Sequence, residues 1–282
     1  MILKKLVFKI RKLYTQNFFY KLINRRGATR FKKILDSFAE KYAEKPDQPK
    51  FDVFEKNWDN LLILDACRLD LYTEARGEVE GRTSLGSSTA EFVEKNFTEG
   101  DFSDIIYVTG NPHFSKKIFS ELTGRDPDET FHEVFHTYMS DWDTEKGTVL
   151  PEPLIRDAKT AKKLFPDKRI VVHFMQPHYP FVGSDLIRDK GISPTLDKSE
   201  ENIQEQAWVM AETGKIEEDE IWVAYRENLQ YVLDKVENFS HNLSGKTVIT
   251  SDHGNAVGES TFYGHPKGVN TKELREVPYV EK

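Results

Sequence analysis

The sequence predicts an α/β fold with a mostly parallel central sheet flanked by helices. Short runs of apolar, often β-branched residues are typical of strands buried on both faces, and they occur at 60–68, 104–113, 168–181 and 246–254. Amphipathic patterns typical of helices alternate with them, at 89–97, 153–165 and 221–243. This alternation predicts βαβ units and therefore strands that run in the same direction.

The composition is that of a globular protein long enough for one large α/β domain. The chain has 282 residues, of which 38% are hydrophobic and 31% charged, and its mean hydropathy is −0.60. Its single cysteine, Cys67, excludes an intrachain disulfide. We expect a basic N-terminal region over residues 1–50, which ends in a linker at KPDQPK (45–50), and the main domain over 51–282. A polar insertion or lid is predicted at about 183–220.

The N-terminal region is strongly basic. Residues 1–33 contain eleven Lys and Arg and no acid, which leaves 29 basic and 47 acidic residues, a net charge of −18, for the rest. Apolar residues recur there at helical spacing between lysines. Such a helix either packs on the domain or binds the anionic face of a membrane or an acidic partner. Lysines interrupt any signal-peptide core, and no segment is apolar enough to span a bilayer, so we expect a cytoplasmic protein that is peripheral at a membrane surface if this helix binds lipid.

Carboxylate and imidazole side chains follow the first and last predicted strands. Asp65 ends the first strand, and Asp252 and His253 end the last. In parallel sheets, ligands bind at the carboxyl ends of the strands, and mixed oxygen and nitrogen ligands suit divalent metals. An Asp-His pair alone predicts a metal site only weakly, because such pairs are more often caps or ion pairs than ligands. Its position after a buried strand, with Asp65 at the end of another, makes the prediction considerably stronger.

A cluster of hydroxyl residues precedes the helix predicted at 89–97. Ser88 with Glu91 three positions later fits a capping box, which is a purely structural interpretation of Ser87, Ser88 and Thr89. The alternative is a nucleophile, since backbone N–H groups and the helix dipole at a helix N-terminus favour an anion. A nearby metal ion would activate such a hydroxyl.

Taken together, five motifs resemble the sulfatase-like branch of the alkaline phosphatase superfamily. They are, in chain order, ILDACRLD, GSSTAEF, HFMQPHYPF, SDHGNAVGESTFYGHP and VPYV. The likeness covers about residues 58–281 and is greatest to lipid-linked phosphoglycerol and phosphoethanolamine transferases and to small sulfatase-like proteins of unassigned substrate. Because the motifs occur in the family's order, the combination is specific, whereas any one of them is not.

The resemblance implies an α/β fold and a role for several residues. Asp65, Asp252 and His253 match metal ligands, and the cluster Ser87–Thr89 matches the nucleophile. Alignment on the following Glu-Phe favours Ser87, alignment on the following alanine favours Ser88, and Thr89 remains an alternative; Ser87 is our first choice. His178 and His265 match histidines that bind substrate oxygens or protonate the leaving group.

The chain also departs from the family's pattern. The hydroxyl cluster contains no cysteine, which argues against a formylglycine sulfatase. Asp65 is followed by Ala66 rather than a second Asp, and a second Asp-His pair is absent, so we expect one metal ion: Mn²⁺, Zn²⁺, Mg²⁺ or Ca²⁺. The sequence stops after VPYV, where larger members continue into a C-terminal subdomain, and we expect that subdomain to be missing.

The other polar candidates have structural interpretations. We interpret His173 as a buried residue or one that contacts the metal ligands, and His241 as a surface residue. The pair His132 and His136 is a metal site only if their segment is helical. His113 follows the second predicted strand, where it either lines the site or is incidental. Arg68 either pairs with Asp70 or meets an anionic substrate. We assign no role to Asn111 and Asn255.

These observations predict a metal-dependent hydrolase or transferase acting on phosphate esters, or less readily sulfate esters, through a covalent phospho-enzyme. The substrate or acceptor would be a phosphorylated or sulfated small molecule, a glycan or a lipid headgroup. No nucleic-acid partner is expected, and the oligomeric state is left open. The alternatives are a sulfatase-like binding protein without activity and a serine-type sulfatase.

Overall fold

The computed structural model describes residues 37, 40–55, 57–185, 207–212, 214–259 and 262–282. Ten strands are present in these ranges: β1 (Lys50–Phe51), β2 (Asn60–Asp65), β3 (Glu80–Ser84), β4 (Phe102–Thr109), β5 (Phe131–His136), β6 (Arg169–Pro177), β7 (Thr247–Ser251), β8 (Ala256–Val257), β9 (Tyr263–Gly264) and β10 (Glu276–Glu281). The helices in the same ranges are α1 (Leu69–Arg76), α2 (Thr89–Phe97), α3 (Lys116–Thr123), α4 (Pro127–Thr130), α5 (Thr137–Ser140), α6 (Pro151–Leu164), α7 (Ala207–Glu212), α8 (Glu218–Ser240) and α9 (Lys272–Arg275).

An eight-stranded sheet forms the centre, in the order β1-β3-β10-β7-β2-β6-β4-β5, and β8 and β9 form a separate hairpin. The pairs β2–β6, β2–β7, β4–β6, β4–β5 and β1–β3 are parallel, whereas β10 is antiparallel to both β3 and β7. The predicted α/β architecture with a mostly parallel sheet is therefore confirmed.

Each face of the sheet buries its own apolar cluster. Along β2, Leu62 and Leu64 pack on the face covered by α1, α6 and α8, whereas Leu61 and Ile63 pack on the face covered by α2 and α3. A strand of this kind buries every side chain, because successive residues point to opposite faces. This explains why β2, β6 and β7 are continuous apolar runs rather than alternating patterns.

Some strands were not predicted. β3 and β5 carry charged and polar side chains, and β10 is the VPYV motif, whose central position in the sheet the motif alone does not reveal. The segment FHEVFH is strand β5. The prediction of a metal site at His132 and His136, which required a helix, is therefore wrong. His136 instead contacts Asp128, with 3.0 Å between Nε2 and Oδ1.

Several predictions fall partly or wholly outside the described residues. These include the basic helix within residues 1–33 and most of the insertion at 183–220; within that insertion, α7 and the start of α8 are described. The proposed linker at 45–50 packs along the sheet, where Thr83 donates hydrogen bonds to the carbonyls of Gln48 and Pro49. Among the described helices, none combines the length and the apolar character needed to cross a bilayer.

Candidate active site

Four parallel strands bring the predicted site residues together at one edge of the sheet. Asp65 ends β2, His178 follows β6, and Asp252 with His253 follows β7. Asn111 follows β4, which lies beside β6. Because the carboxyl ends of parallel strands meet at the same edge, residues far apart in sequence converge there, as the strand-end pattern predicts.

The two carboxylates and His253 form one buried cluster. The Nε2 atom of His253 lies 3.4 Å from Oδ2 of Asp252 and 3.6 Å from Oδ1 of Asp65, and all three side chains are at most 2% exposed. The Nδ1 atom of His253 lies 2.8 Å from the carbonyl oxygen of Gly254. Since a carbonyl only accepts, Nδ1 carries the proton, and in neutral His253 the lone pair on Nε2 faces the carboxylates.

Backbone groups orient Asp252. Its Oδ1 accepts hydrogen bonds from the N–H groups of Ala66, at 3.0 Å, and His253, at 2.9 Å. Ala66 has a φ of 61°, the one positive φ of a non-glycine residue in the described part of the chain, and its carbonyl accepts a hydrogen bond from the buried Tyr225 hydroxyl. This left-handed turn directs the Ala66 N–H toward Asp252, although alanine seldom adopts it.

The environment pushes the pKa values of the two carboxyl groups in opposite directions. Burial and the negative charge of Asp252 raise the pKa of Asp65 well above its usual range, and the hydrogen bond from Asn111 compensates for only part of this. Burial would also raise the pKa of Asp252, but His253, His173 and its hydrogen bonds hold it below the usual range. Asp252 is therefore held in its ionised form, and ionisation of the neighbouring Asp65 is unfavourable.

The donor set fits a divalent cation. Oδ1 of Asp65 and Nε2 of His173 are buried without a hydrogen-bond partner among the described residues. Asp65, His173 and Asp252 each place one potential ligand atom within 4.8 Å of the others. Buried polar atoms without partners are costly, and oxygen and imidazole ligands suit Zn²⁺ or Mn²⁺, so a cation here would satisfy atoms that the protein leaves unsatisfied.

His173 lies closer to this cluster than its position inside a strand suggested. Its Nε2 is 3.7 Å from Oδ2 of Asp252, and its Nδ1 is 3.1 Å from the Tyr107 hydroxyl. Burial lowers the pKa of His173 to about 4, so the ring is neutral at pH 7. The prediction that it is buried is confirmed. A signal was available in the sequence, since a histidine in an otherwise apolar strand must find polar partners nearby.

The three candidate hydroxyls have different surroundings. Thr89, the first residue of α2, donates to Oδ2 of Asp252 at 2.9 Å and lies 3.2 Å from Nε2 of His253. Ser88 caps the helix, as the structural interpretation predicted, by accepting the Glu91 N–H at 3.3 Å. The Ser87 hydroxyl is fully buried and bonds to Glu91, Pro266 and Gly268. Of the three hydroxyls, Thr89 therefore contacts the Asp252–His253 pair directly, whereas the hydroxyl of our first choice, Ser87, bonds to Glu91, Pro266 and Gly268.

His178 and His265 are brought to the cluster. The His265 ring centroid lies 4.6 Å from that of His253 and 4.8 Å from that of His178. The backbone N–H of His178 donates to the Asp65 carbonyl, and its Nδ1 lies 2.6 Å from the Tyr179 carbonyl. His178 therefore carries its proton on Nδ1, and burial lowers its pKa to about 4. Both predicted histidines thus border the cluster.

Two asparagines to which we assigned no role hold the site residues in place. Asn111 donates to Oδ2 of Asp65 at 2.8 Å, and its Oδ1 accepts the N–H and contacts the Nδ1 of His113. Asn255 contacts Nδ1 of His265 through Oδ1 at 2.7 Å. Their positions directly after a strand and after the Asp-His pair were the signal that could have revealed them.

Arg68 supports the loop that follows His253. It is 4% exposed, it pairs with Asp70 and with Glu259, and it donates to the Asn255 carbonyl at 3.0 Å. The predicted ion pair with Asp70 is confirmed, but it is not an isolated surface pair: the guanidinium is buried and also pairs with Glu259, whereas the Asp70 side chain is exposed. The guanidinium also lies over the Trp222 ring, at 4.8 Å.

Gly254 is required by close packing behind the Asp-His pair. A Cβ atom placed on it would lie 2.2 Å from the Glu273 carbonyl oxygen. We expect Gly254→Ala to lower the free energy of unfolding by more than about 2 kcal/mol, measured by urea denaturation. Gly124→Ala is the control, because a Cβ there meets open space and only the positive φ is strained, which costs about 1 kcal/mol. Equal losses in the two variants would contradict this.

Comparison with solved structures confirms, at the level of the fold, the resemblance suggested by the motifs. The soluble domain of lipooligosaccharide phosphoethanolamine transferase A from Neisseria meningitidis superposes with a TM-score of 0.51 and 13% identity, over 86% of this chain and 80% of that one. The integral membrane protein of the same name and organism gives 0.50 and 14%, over 90% of this chain and 53% of that one. This chain thus spans about half the length of that membrane protein. No family model matches the sequence, and no curated protein matches it.

Proposed function

We propose that this protein is a metal-dependent transferase or hydrolase of phosphate esters that uses Thr89 as its nucleophile. The observation that carries the proposal is the position of the Thr89 hydroxyl at the N-terminus of α2, bonded to Asp252 and beside Nε2 of His253. A hydroxyl there is next to a carboxylate that can orient it and to backbone N–H groups that favour an anionic substrate.

Asp65, Asp252 and His253 would hold the metal ion, and His173 adjoins them. When bound, a divalent cation there would neutralise charge on the phosphoryl oxygens and favour the ionised form of the nearby hydroxyl. The chain's own residues prepare that arrangement: Asn111 fixes the Asp65 carboxylate, and the N–H groups of Ala66 and His253 fix that of Asp252. Such fixed partners keep ligand orientation constant.

The reaction would proceed through a covalent phosphothreonine. The Oγ1 atom of Thr89 gives its proton to the Asp252 carboxylate, to which it is hydrogen-bonded, and attacks phosphorus. An O–P bond forms, and the bond from phosphorus to the leaving oxygen breaks. We assign protonation of the leaving oxygen to His265. Neutral His178 carries its proton on Nδ1, so its Nε2 suits it to take the proton of the incoming water or acceptor hydroxyl. Attack by that oxygen then breaks the bond from phosphorus to Thr89 Oγ1 and releases the phosphoryl group, and Oγ1 takes its proton back from Asp252.

The substrate class follows by analogy and is part of the proposal. Proteins with this fold include a lipooligosaccharide phosphoethanolamine transferase, so a phosphorylated lipid or glycan headgroup is the substrate that we propose. The sequence feature that fits a lipid is the set of eleven basic residues, with no acid among them, within residues 1–33, which would attract an anionic surface.

The proposal is tested with metal-stripped protein and simple chromogenic esters. We expect release of nitrophenolate from bis(p-nitrophenyl) phosphate to return when Mn²⁺ or Zn²⁺ is added, and to exceed release from p-nitrophenyl sulfate. Intact mass after acid quenching should show one p-nitrophenyl phosphoryl adduct, because the diester loses only one of its two p-nitrophenolate groups in the first step. The control is Asp167→Asn, an exposed carboxylate at the opposite edge of the sheet, which should behave as the wild type. Faster sulfate release would favour a sulfatase, and an inert protein that still binds metal would favour the non-catalytic alternative.

A further inference from the structure

Ser87 and Glu91 have no place in the chemistry derived above, yet they are bonded to the loop that carries His265. Glu91 Oε2 accepts hydrogen bonds from the N–H of Ser87 at 2.9 Å and from the N–H of Gly268 at 3.2 Å, and the Ser87 hydroxyl lies 2.8 Å from the same oxygen. The Ser87 hydroxyl also accepts the Gly268 N–H at 2.9 Å and lies 3.0 Å from the Pro266 carbonyl. At the start of α2, the side chains of Ser87 and Glu91 thus bond to both ends of the turn formed by residues 266–268.

The turn itself has little freedom. Pro266 restricts the backbone of His265, which precedes it, and supplies no N–H of its own. Gly268 has a φ of 81°, a conformation that reverses the chain and that other residues adopt reluctantly. The backbone on either side of Lys267 is therefore fixed by Ser87 and Glu91, directly after the imidazole.

The surroundings of Glu91 favour the ionised form of its carboxyl group. Burial opposes ionisation, but the hydrogen bonds from Ser87 and Gly268 and the nearby Arg275 lower its pKa below the usual range. Glu91 also lies in the first turn of α2, where a carboxylate is stabilised by the helix dipole. A charged acceptor makes stronger hydrogen bonds than a neutral one, so the contact to Gly268 is a firm link.

We propose that Ser87 and Glu91 are positioning residues that fix the backbone of His265 and so place its imidazole against the leaving oxygen. Asn255 fixes the rotation of the His265 ring through its contact with Nδ1. The Ser87–Glu91 pair fixes the position of the backbone that carries this ring. Thr89, Ser87 and Glu91 all lie at the N-terminus of α2, so this helix positions both the nucleophile and the His265 imidazole. The inference rests on the proposed function for the role of His265, and on the contacts alone for its position.

The first test is a double-mutant cycle with Glu91→Gln, which keeps the shape and removes the charge, and His265→Ala. We expect Glu91→Gln to lower kcat about tenfold for a phenyl phosphodiester and less for the p-nitrophenyl ester, whose leaving group needs less protonation, with KM changed less than about twofold. In the His265→Ala background Glu91→Gln should cause no further loss, because both changes remove the same contribution. Glu99→Gln, exposed just beyond α2, is the control.

The second test does not depend on turnover. In protein labelled with ¹⁵N-histidine and loaded with Zn²⁺, the His265 ring signals are those lost in His265→Ala. Glu91→Gln and Ser87→Ala should shift them, whereas Glu99→Gln should not. Unchanged His265 signals, or additive losses in the cycle, would overturn the inference even if the protein is a phosphotransferase. If instead no ester is turned over but the signals shift, the positioning stands and the proposed function fails.

Discussion

Thr89→Ala should lower kcat for phosphoester turnover at least about 10³-fold, whereas Thr89→Ser should keep it within about tenfold of the wild type. The reason is that Thr89 is the hydroxyl bonded to Asp252 at the start of α2, and serine keeps that oxygen while alanine removes it. The measurement is steady-state kinetics with bis(p-nitrophenyl) phosphate, together with peptide mapping of the phosphoryl adduct, which should lie on Thr89.

The same variant should still bind metal, because Asp65, Asp252 and His253 are unchanged, and calorimetry with Mn²⁺ checks this. Thr98→Ala is the matched control: its hydroxyl bonds to the Glu94 carbonyl at the other end of the same helix, away from the cluster. A phosphoryl group mapped to Ser87, with activity retained in Thr89→Ala, would restore our first choice and refute the mechanism proposed above.

The parts of the fold that sequence predicts best are those that packing alone dictates. β2, β6 and β7 are buried on both faces, so their apolar runs allow little other than a central strand, and α2 begins and ends where its pattern does. β3 and β5 carry charged residues on partly exposed faces and are held by their neighbours, β3 by β1 and β10, and β5 by β4. Such strands exist because of tertiary pairing, which local composition does not record.

The candidate site divides in the same way. Asp65, Asp252 and His253 were predictable because Asp65 ends a strand and the other two follow one, and the end of a parallel strand marks an edge where ligands bind. The choice among Ser87, Ser88 and Thr89 depends on which hydroxyl faces Asp252, which lies 163 positions from Thr89 in sequence. That depends on how α2 is rotated against β7, and neighbouring residues in the sequence do not specify it.

A second large effect follows from the two carboxylates placed together. Asp65 and Asp252 present oxygen atoms within 4.8 Å of each other in a fully buried cluster. At an effective dielectric constant near 20, two unit charges at that distance repel by on the order of 3 kcal/mol. A bound cation would turn this repulsion into attraction. The same pair should therefore lower the stability of the metal-free protein and raise that of the metal-bound one.

Asp65→Asn should then change stability in opposite directions with and without metal. In chelator at pH 8 we expect the free energy of unfolding to rise by about 1–3 kcal/mol, because the repulsion is removed. An asparagine there can still accept the Asn111 bond through one atom and direct its amide N–H toward Nε2 of His253, 3.6 Å from the present Oδ1. With excess Zn²⁺ or Mn²⁺ the order should reverse, since the wild type gains about 4 kcal/mol at a thousandfold excess over Kd and the variant gains less.

Thermal melts of both proteins, with chelator and across a metal titration, measure this reversal, and Asp167→Asn serves as the control that removes a carboxylate far from the cluster. The pH sets the size of the metal-free effect. Because the pKa of Asp65 is raised, acidification protonates it and relieves the repulsion, so the gain from Asp65→Asn should shrink as the pH falls. The prediction is contradicted if Asp65→Asn is less stable than the wild type in chelator at pH 8 and is stabilised by metal as much as the wild type is. Asp65 would then stabilise the fold itself rather than bind a cation.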